Sequence, residues 1–597
     1  MVAHLSEVAG QLFDYVIIGA GTSGLTVAGR LAEDPEISVA VLEAGEALLD
    51  DPKILLGGGF GSTWGNPKYD WAFTTVPQTH ENDRTIPGGS SGMNFYGWIK
   101  PPAQDVDVFE ELGNPGWNWE SYQRCTKRCE NFTPANESQL KAYPHTFGED
   151  SHGKGGPLQT TVALMTYITD KLFLDAFSAQ GVKFNEDPYG GNINGTWMSA
   201  SSLDRSKKWT RSYSATAYYL PHKDNPKFKV LTEAFASRVI FADESVGNDL
   251  VAIGVEFIHG GKTHFVRAKE VIISAGTIKT PQILELSGIG GPDILKRIGV
   301  PLKIDLPGVG ENVQDHLLFS ISYELDQSLP HETFDGFRDP EFAKEQARLQ
   351  ELDEDNRHRY GISAYAYLPL AEILPEFADS FAKRVGAWIE EQKKDGKLNP
   401  GLEEQLDIQL RILKDKDVPD VEFVSFPGYM SFPTLPENKN HISLISFLQH
   451  PLSRGTIHAK SNNPLEQPAI DPHYFANGFD LELTVEQMKY MKNVIATTDS
   501  FKSGIVREID PGPATLTDEQ IRDYVKKTCG SGLHAVGSAS MLPREKNGVV
   551  DPELKVYGTT NVRVADLSII PLQLAGHTQA TAYYVGERLA EILQVPR

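Results

Sequence analysis

Residues 13–45 read FDYVIIGAGTSGLTVAGRLAEDPEISVAVLEAG, and the fold of the chain is decided here. Tyr15 to Ile18 is a short β-branched run with the character of a buried parallel strand rather than an amphipathic helix. Gly19, Gly21 and Gly24 follow. The first allows a tight turn, the second lets the backbone approach a pyrophosphate, and the third lets a helix over residues 25–32 lie close on its strand. A second apolar run, Val39 to Leu42, ends in Glu43, about 20 residues after the last glycine. A carboxylate there accepts hydrogen bonds from a ribose diol and disfavours a 2′-phosphate. Strand, turn, helix, strand and acid in that order predict dinucleotide binding near the N-terminus. Between NAD and FAD the stretch does not choose.

A chain of 597 residues exceeds one ordinary core and implies two or more domains. Asp and Glu outnumber Lys and Arg by 80 to 56, and the formal charge of −24 argues against nucleic acid or an anionic membrane as partner. A small neutral substrate is the expectation. Three cysteines, Cys125, Cys129 and Cys529, cannot all pair within the chain, and no His or Cys cluster completes a zinc site, so they read as free thiols. No metal is expected. Glycosylation sequons stand at Asn131, Asn136 and Asn194, but strand residues begin too soon after Met1 for a signal peptide. The expected location is intracellular, or secreted if a signal peptide has been removed. No apolar run is long enough to span a bilayer.

Farther along, residues 60–122 are rich in Gly, Pro and aromatics, the kind of long irregular segment that is usually functional. Within it Pro87 to Asn94 reads PGGSSGMN, whose backbone N–H groups and Ser90 and Ser91 hydroxyls suit phosphate oxygens, with Asn94 as a further donor and acceptor. Residues 153–212 read as strands and loops. Residues 228–257 read as strand, turn, strand and strand, leading to a second buried strand, Val271 to Ser274, with small residues at its end. The charged, helix-periodic region 339–420 reads as a helical insertion, either a lid or an oligomer contact. Strands return at 421–426 and 442–448, and a capping box at Thr517 and Gln520 starts a helix.

Toward the C-terminus a short strand, residues 562–565, ends in Asp566, and a loop bounded by Pro571 delivers His577 at the mouth of a helix with small residues in its first turns. His534 stands earlier on another Gly/Ser-rich loop. A lone histidine beside glycine is more often structural than catalytic. If a dinucleotide is to oxidise a C–OH group, however, a base is needed for the hydroxyl proton and a second group to hold the oxygen. Imidazole can do either.

Several of these segments together resemble the glucose-methanol-choline family of FAD oxidoreductases. They are the glycine turn with LEAG at residues 42–45, PGGSSGMN at 87–94, GTIKTPQILELSGIG at 276–290, LPGVGENVQDH at 306–316, HPLSRGTI at 450–457 and the tail 534–592. The resemblance covers nearly the full length in the right order. It implies an α/β fold, with a discontinuous Rossmann-like FAD-binding domain (1–160, 210–320 and 520–597). A substrate domain of antiparallel sheet plus helices (161–209 and 321–519) would be interleaved with it. It implies FAD, with the pyrophosphate near Gly19, Gly21, Thr22, Ser23 and Gly24, the ribose at Glu43 and Ala44, and the adenine at the backbone of Val239. The flavin would lie close to Ser90, Asn94, Thr578 and Gln579, and Asp566 would be a further cofactor-binding residue. His534 matches the family's catalytic base and His577 its partner His or Asn.

Two departures stand out. The family's His-Pro-x-Gly-Thr reads His534-Ala535-Val536-Gly537-Ser538, and Met93 stands where members with tethered flavin carry a histidine, so non-covalent FAD is expected. The function implied is oxidation of a primary or secondary alcohol, with oxygen or another acceptor taking the electrons. Aromatics such as Phe423, Phe426, Tyr429 and Phe432 lean the expected substrate toward an aryl or apolar alcohol. A non-redox member using the histidines for lyase or cyclase chemistry is the alternative.

Overall fold

The computed structural model describes residues 2–59, 61–88, 93–329, 333–431 and 439–594. Five strands form a parallel core in the order Phe228–Leu231, Val39–Leu42, Leu12–Ile18, Lys262–Ile273 and Val562–Val564. Val16, Ile17, Val39, Val41, Val271 and Ile272 are fully buried, as strands covered on both faces must be. The strand Lys262–Ile273 serves two neighbourhoods. Its first half pairs antiparallel with Ala252–His259, which pairs in turn with Phe235–Phe241, and its second half joins the parallel core.

A second sheet is antiparallel throughout, in the order Ile505–Asp510, Leu317–Leu325, His441–Leu448, Val421–Phe426, Ala364–Leu368 and Gly195–Met198. Alternation along its strands sends side chains to two different cores. Ile321, Ala364, Ala366, Phe423 and Leu444 pack under the helices Ile168–Ala179, Pro375–Lys394 and Gly478–Asn493. Tyr365, Tyr367, Val424, Phe426, Ile445 and Phe447 face the other way and join the core of the first sheet.

The region 339–420 is not the helical insertion its charge pattern suggests. Helices Pro340–Glu351, Pro375–Lys394 and Leu402–Lys414 are present, but between the first two lies the strand Ala364–Leu368, paired on both sides within the second sheet. Its AYAYL pattern gives small residues to one core and tyrosines to the other, which composition alone does not reveal. Within 153–212 the helix Ile168–Ala179 was likewise hidden among loop residues. It is held by buried Leu172, Phe173, Ala176 and Phe177, the i, i+1, i+4, i+5 spacing of a helix face. All three cysteines are buried and free. Among the described residues no helix is long and apolar enough to cross a membrane, and no three His, Cys, Asp or Glu side chains converge as a metal site would need.

The two chain ends are joined by a helix pair. Thr22–Leu31, which opens at the glycine turn, packs on Gln579–Gln594, which opens just after His577. A Cβ on Gly586 would lie 2.7 Å from that of Thr26, so glycine sets the close approach. Ser23 donates to the carbonyl of Ala582 at 2.7 Å. Fully buried Glu587 accepts from Arg30 at 2.9 Å, from Arg128 at 2.6 Å and from the Tyr218 hydroxyl at 2.6 Å. Removing one partner of such a cluster strands the others in a poorly solvated place. Glu587→Ala is therefore expected to cost about 3–5 kcal/mol, read as an earlier urea midpoint. An unmoved midpoint would show that the clamp contributes nothing.

Candidate active site

Both sequence motifs line one cavity of about 710 Å3. Gly19, Gly21, Thr22, Ser23, Glu43 and Ala44 contribute to its wall, and so do Asn94, His534, Asp566, His577, Thr578 and Gln579. Gly19 has φ +102°, and a Cβ on it would lie 2.4 Å from the Ser274 carbonyl oxygen. A Cβ on Gly21 would meet nothing within 4 Å, which leaves the backbone open to a ligand. Gly21 also gives the helix Thr22–Leu31 no side-chain cap, and such a helix start suits an anionic oxygen. Gly24 is outside the wall. A Cβ there would lie 2.1 Å from the Gly19 carbonyl oxygen, so this glycine serves helix-on-strand packing. Glu43 is fixed by the N–H groups of Ala20 at 2.7 Å and Gly45 at 2.8 Å.

Around the later motifs the contacts cross long stretches of sequence. Asp566 accepts from the N–H of Gly276 at 2.9 Å, the Thr280 hydroxyl at 2.6 Å and the N–H of Ser568 at 2.8 Å. It thereby ties the strand end Val562–Val564 to the start of the helix Gly276–Leu286. Asn94 donates to Gln579 at 3.0 Å and accepts from Arg211 at 2.6 Å, while Gln579 donates to the Ser202 hydroxyl at 3.1 Å. Ser90 lies outside the described residues. Val239 is not among the residues that line the cavity, and its N–H donates to the Ser287 hydroxyl at 2.8 Å. The wall on that strand is formed by Phe235, Ala236 and Ser237.

His534 and His577 meet with ring centroids 4.8 Å apart, and Phe447 lies within 5.9 Å of the first and 5.6 Å of the second. Each imidazole has a different partner. The Nδ1 atoms of His534 and His316 are 2.9 Å apart, and Nε2 of His316 is 3.0 Å from the Leu574 carbonyl oxygen. His577 bonds through Nε2 to the fully buried carboxylate of Glu422 at 2.8 Å, whose other oxygen accepts from Gln449 at 2.9 Å. Burial, with His577 and His316 as neighbours, holds the His534 pKa well below the ordinary imidazole value. The neutral imidazole, with one N–H and one bare nitrogen, is thus the resting form at neutral pH.

The wall nearest these rings is apolar. Phe95, Leu318, Ile362, Tyr365, Val424 and Ile445 belong to it. Of the aromatics that first suggested such a wall, Phe423 points into the other core, Phe426 and Tyr429 do not line the cavity, and Phe432 lies outside the described residues. Sequence reasoning also missed His316, Glu422 and Arg211. For Glu422 a signal existed, since a carboxylate within the apolar strand VEFVSF needs a buried partner. For His316 no spacing ties it to His534. The β-bridge of Leu317 with Ser531, and the N–H of Gly532 donating to the His316 carbonyl at 2.6 Å, bring the two together.

A glycine turn, the acid Glu43 and an imidazole pair share one cavity, an arrangement that suits a dinucleotide beside titratable groups. Comparison with known proteins gives the arrangement a family. Family models described as GMC oxidoreductase match residues 13–318 and 451–586. The chain is 33% identical to a GMC oxidoreductase family protein, Mala s 12, of Malassezia sympodialis, across 98% of this chain and 93% of the relative. An FAD-dependent oxidoreductase from Chaetomium thermophilum superposes with a TM-score of 0.88 at 28% identity, covering 98% of this chain and 99% of the other. A fungal aryl-alcohol oxidase gives 0.85 at 26% identity, covering 97% and 98%. The chain belongs to the GMC oxidoreductase family, and it is an FAD-dependent oxidoreductase. The residues present fit FAD: the open backbone at Gly21, the uncapped helix start and the fixed Glu43 all border the cavity that holds the imidazoles. Glu43→Gln is expected to raise the FAD dissociation constant by about 1–3 kcal/mol in free energy, the worth of hydrogen bonds to a charged group. Titration of apoprotein with FAD checks this, and an unchanged constant would place the ribose elsewhere.

Proposed function

We propose that the protein oxidises a primary or secondary alcohol, aryl or otherwise apolar, to the carbonyl, with His534 accepting the hydroxyl proton. The observation that carries this reading is a neutral imidazole beside a second, carboxylate-backed imidazole, both lining the cavity whose wall fits FAD. FAD, when bound, supplies the acceptor for the hydride. The chain supplies binding, orientation and the proton path. His534 takes the proton as the C–H bond breaks, because a carbinol gives up hydride readily only when its oxygen is becoming negative. His577, held through Nε2 by Glu422, presents Nδ1 to the substrate oxygen and keeps the carbinol carbon in place. Phe95, Tyr365, Val424, Ile445 and Phe447 exclude water and favour an apolar body on the alcohol. Oxygen or another electron acceptor completes the turnover.

Binding of FAD without a covalent bond is part of the proposal, supported by the Met93 thioether in the cavity wall. Acid precipitation should leave free FAD in the supernatant, and flavin pelleting with the protein would contradict this. His534→Ala should slow anaerobic flavin reduction by about 10²–10⁴-fold, the usual contribution of a positioned base, with FAD content unchanged. His577→Asn should be milder than His577→Ala, since an amide still holds the oxygen. In the parent the reduction rate should stay flat as pH falls through about 6.5, the ordinary imidazole value, because the lowered His534 pKa keeps the base neutral. A rate that halves there would assign the base to another group. Product formed without bleaching of the flavin would mean non-redox chemistry.

A further inference from the structure

We propose that His316 is a positioning residue that fixes which nitrogen of His534 carries the proton, using the Leu574 carbonyl as its reference. The proposal rests on the reading of His534 as base. His316 is fully buried, and burial with His450 and His577 as neighbours holds its pKa down to about 3. It is therefore neutral at working pH and owns one N–H. A carbonyl oxygen can only accept, so the Leu574 contact at 3.0 Å requires that N–H on Nε2. Nδ1 of His316 is then a lone pair and can only accept. The 2.9 Å contact between the two Nδ1 atoms needs one proton, which must come from His534. A neutral His534 that donates from Nδ1 has a bare Nε2, and no bond from Nε2 to a described residue competes for it. The basic nitrogen is thus selected by a carbonyl two hydrogen bonds away.

The reference point is itself held. Leu574 lies in the loop that delivers His577. The next two N–H groups donate to Asp105, from Ala575, and to Gln449, from Gly576, both at 2.6 Å. Asp105 also pairs with His450 at 3.0 Å, and Gln449 also donates to Glu422. Gln573, at the start of the same loop, donates to the His534 carbonyl at 3.0 Å. One loop therefore sets the orientation of both imidazoles. When the alcohol O–H bond breaks and an N–H bond forms on Nε2, the His534 cation donates more strongly to the waiting Nδ1 of His316.

The test uses holoenzyme with 15N-labelled histidine and has two arms. Long-range 1H–15N spectra at neutral pH should show His534, assigned by its loss in His534→Ala, protonated on Nδ1. His316, assigned by its loss in His316→Asn, should be protonated on Nε2. In His316→Phe the His534 signals should shift toward the Nε2-protonated or mixed form. Finding Nε2-protonated His534 in the parent would overturn the proposal. The second arm is flavin reduction by the fastest-reducing member of an alcohol panel. His316→Phe should slow it by about 10–10³-fold, up to most of the worth of a positioned base. In a His534→Ala background the same change should have less than about a twofold effect, because His316 acts only through His534. His316→Asn, whose Oδ1 takes the place of Nδ1 as acceptor, should recover part of the rate. Equal slowing in both backgrounds would reduce His316 to a packing residue. If His534→Ala itself has no effect, the reading of the base fails, while the spectra still decide the relay.

Discussion

The helix pair Thr22–Leu31 and Gln579–Gln594 is the constraint on which the rest depends. One helix begins at the glycine turn and the other just after His577, and both starts line the same cavity. Gly586 lets them touch, and Glu587 locks them through Arg30, Arg128 and Tyr218. The spacing between the glycine turn and the start of the last helix is thus set by a close helix contact, and where reacting groups must be held in place a misplacement of the order of 1 Å costs about 10²-fold in rate.

Two histidines that look alike in sequence are made unlike by their neighbours. His577 leans on a buried carboxylate, and His534 leans on a buried neutral imidazole. A carboxylate behind an imidazole stabilises positive charge on it. An imidazole that can only accept selects a tautomer without adding charge. Burial among other imidazoles then keeps His534 neutral at rest, with one N–H and one bare nitrogen. This division of labour is a matter of a few hydrogen bonds, each near 3 Å, arranged on two strands and one loop.

The second sheet supplies these neighbours because its strands are buried on both sides. Alternation gives Ala364, Ala366 and Phe423 to a helix-covered core, and Tyr365, Val424 and Phe447 to the cavity side. Glu422 shares the parity of Val424, and the register opposite Phe447 puts it among apolar residues, where His577 and Gln449 hydrogen-bond it. A slip of one residue would turn the carboxylate into the other core.

The amino-acid sequence alone determined the dinucleotide unit, because its physics is local. The φ of Gly19, the open Gly21, the contact of Gly24 with the Gly19 carbonyl and the tether of Glu43 to Ala20 all act within one strand–turn–helix–strand unit. In the tail, Asp566, His534 and His577 stood out by resemblance to the family rather than by local physics, and all three line the cavity. Hidden from the sequence were the strand Ala364–Leu368 inside a charged helical stretch, the bond of Val239 to Ser287, and the partners His316 and Glu422. Each of these depends on strand register and on a bond between distant segments. No local pattern encodes register, and so only the tertiary structure could decide which groups stand behind each imidazole.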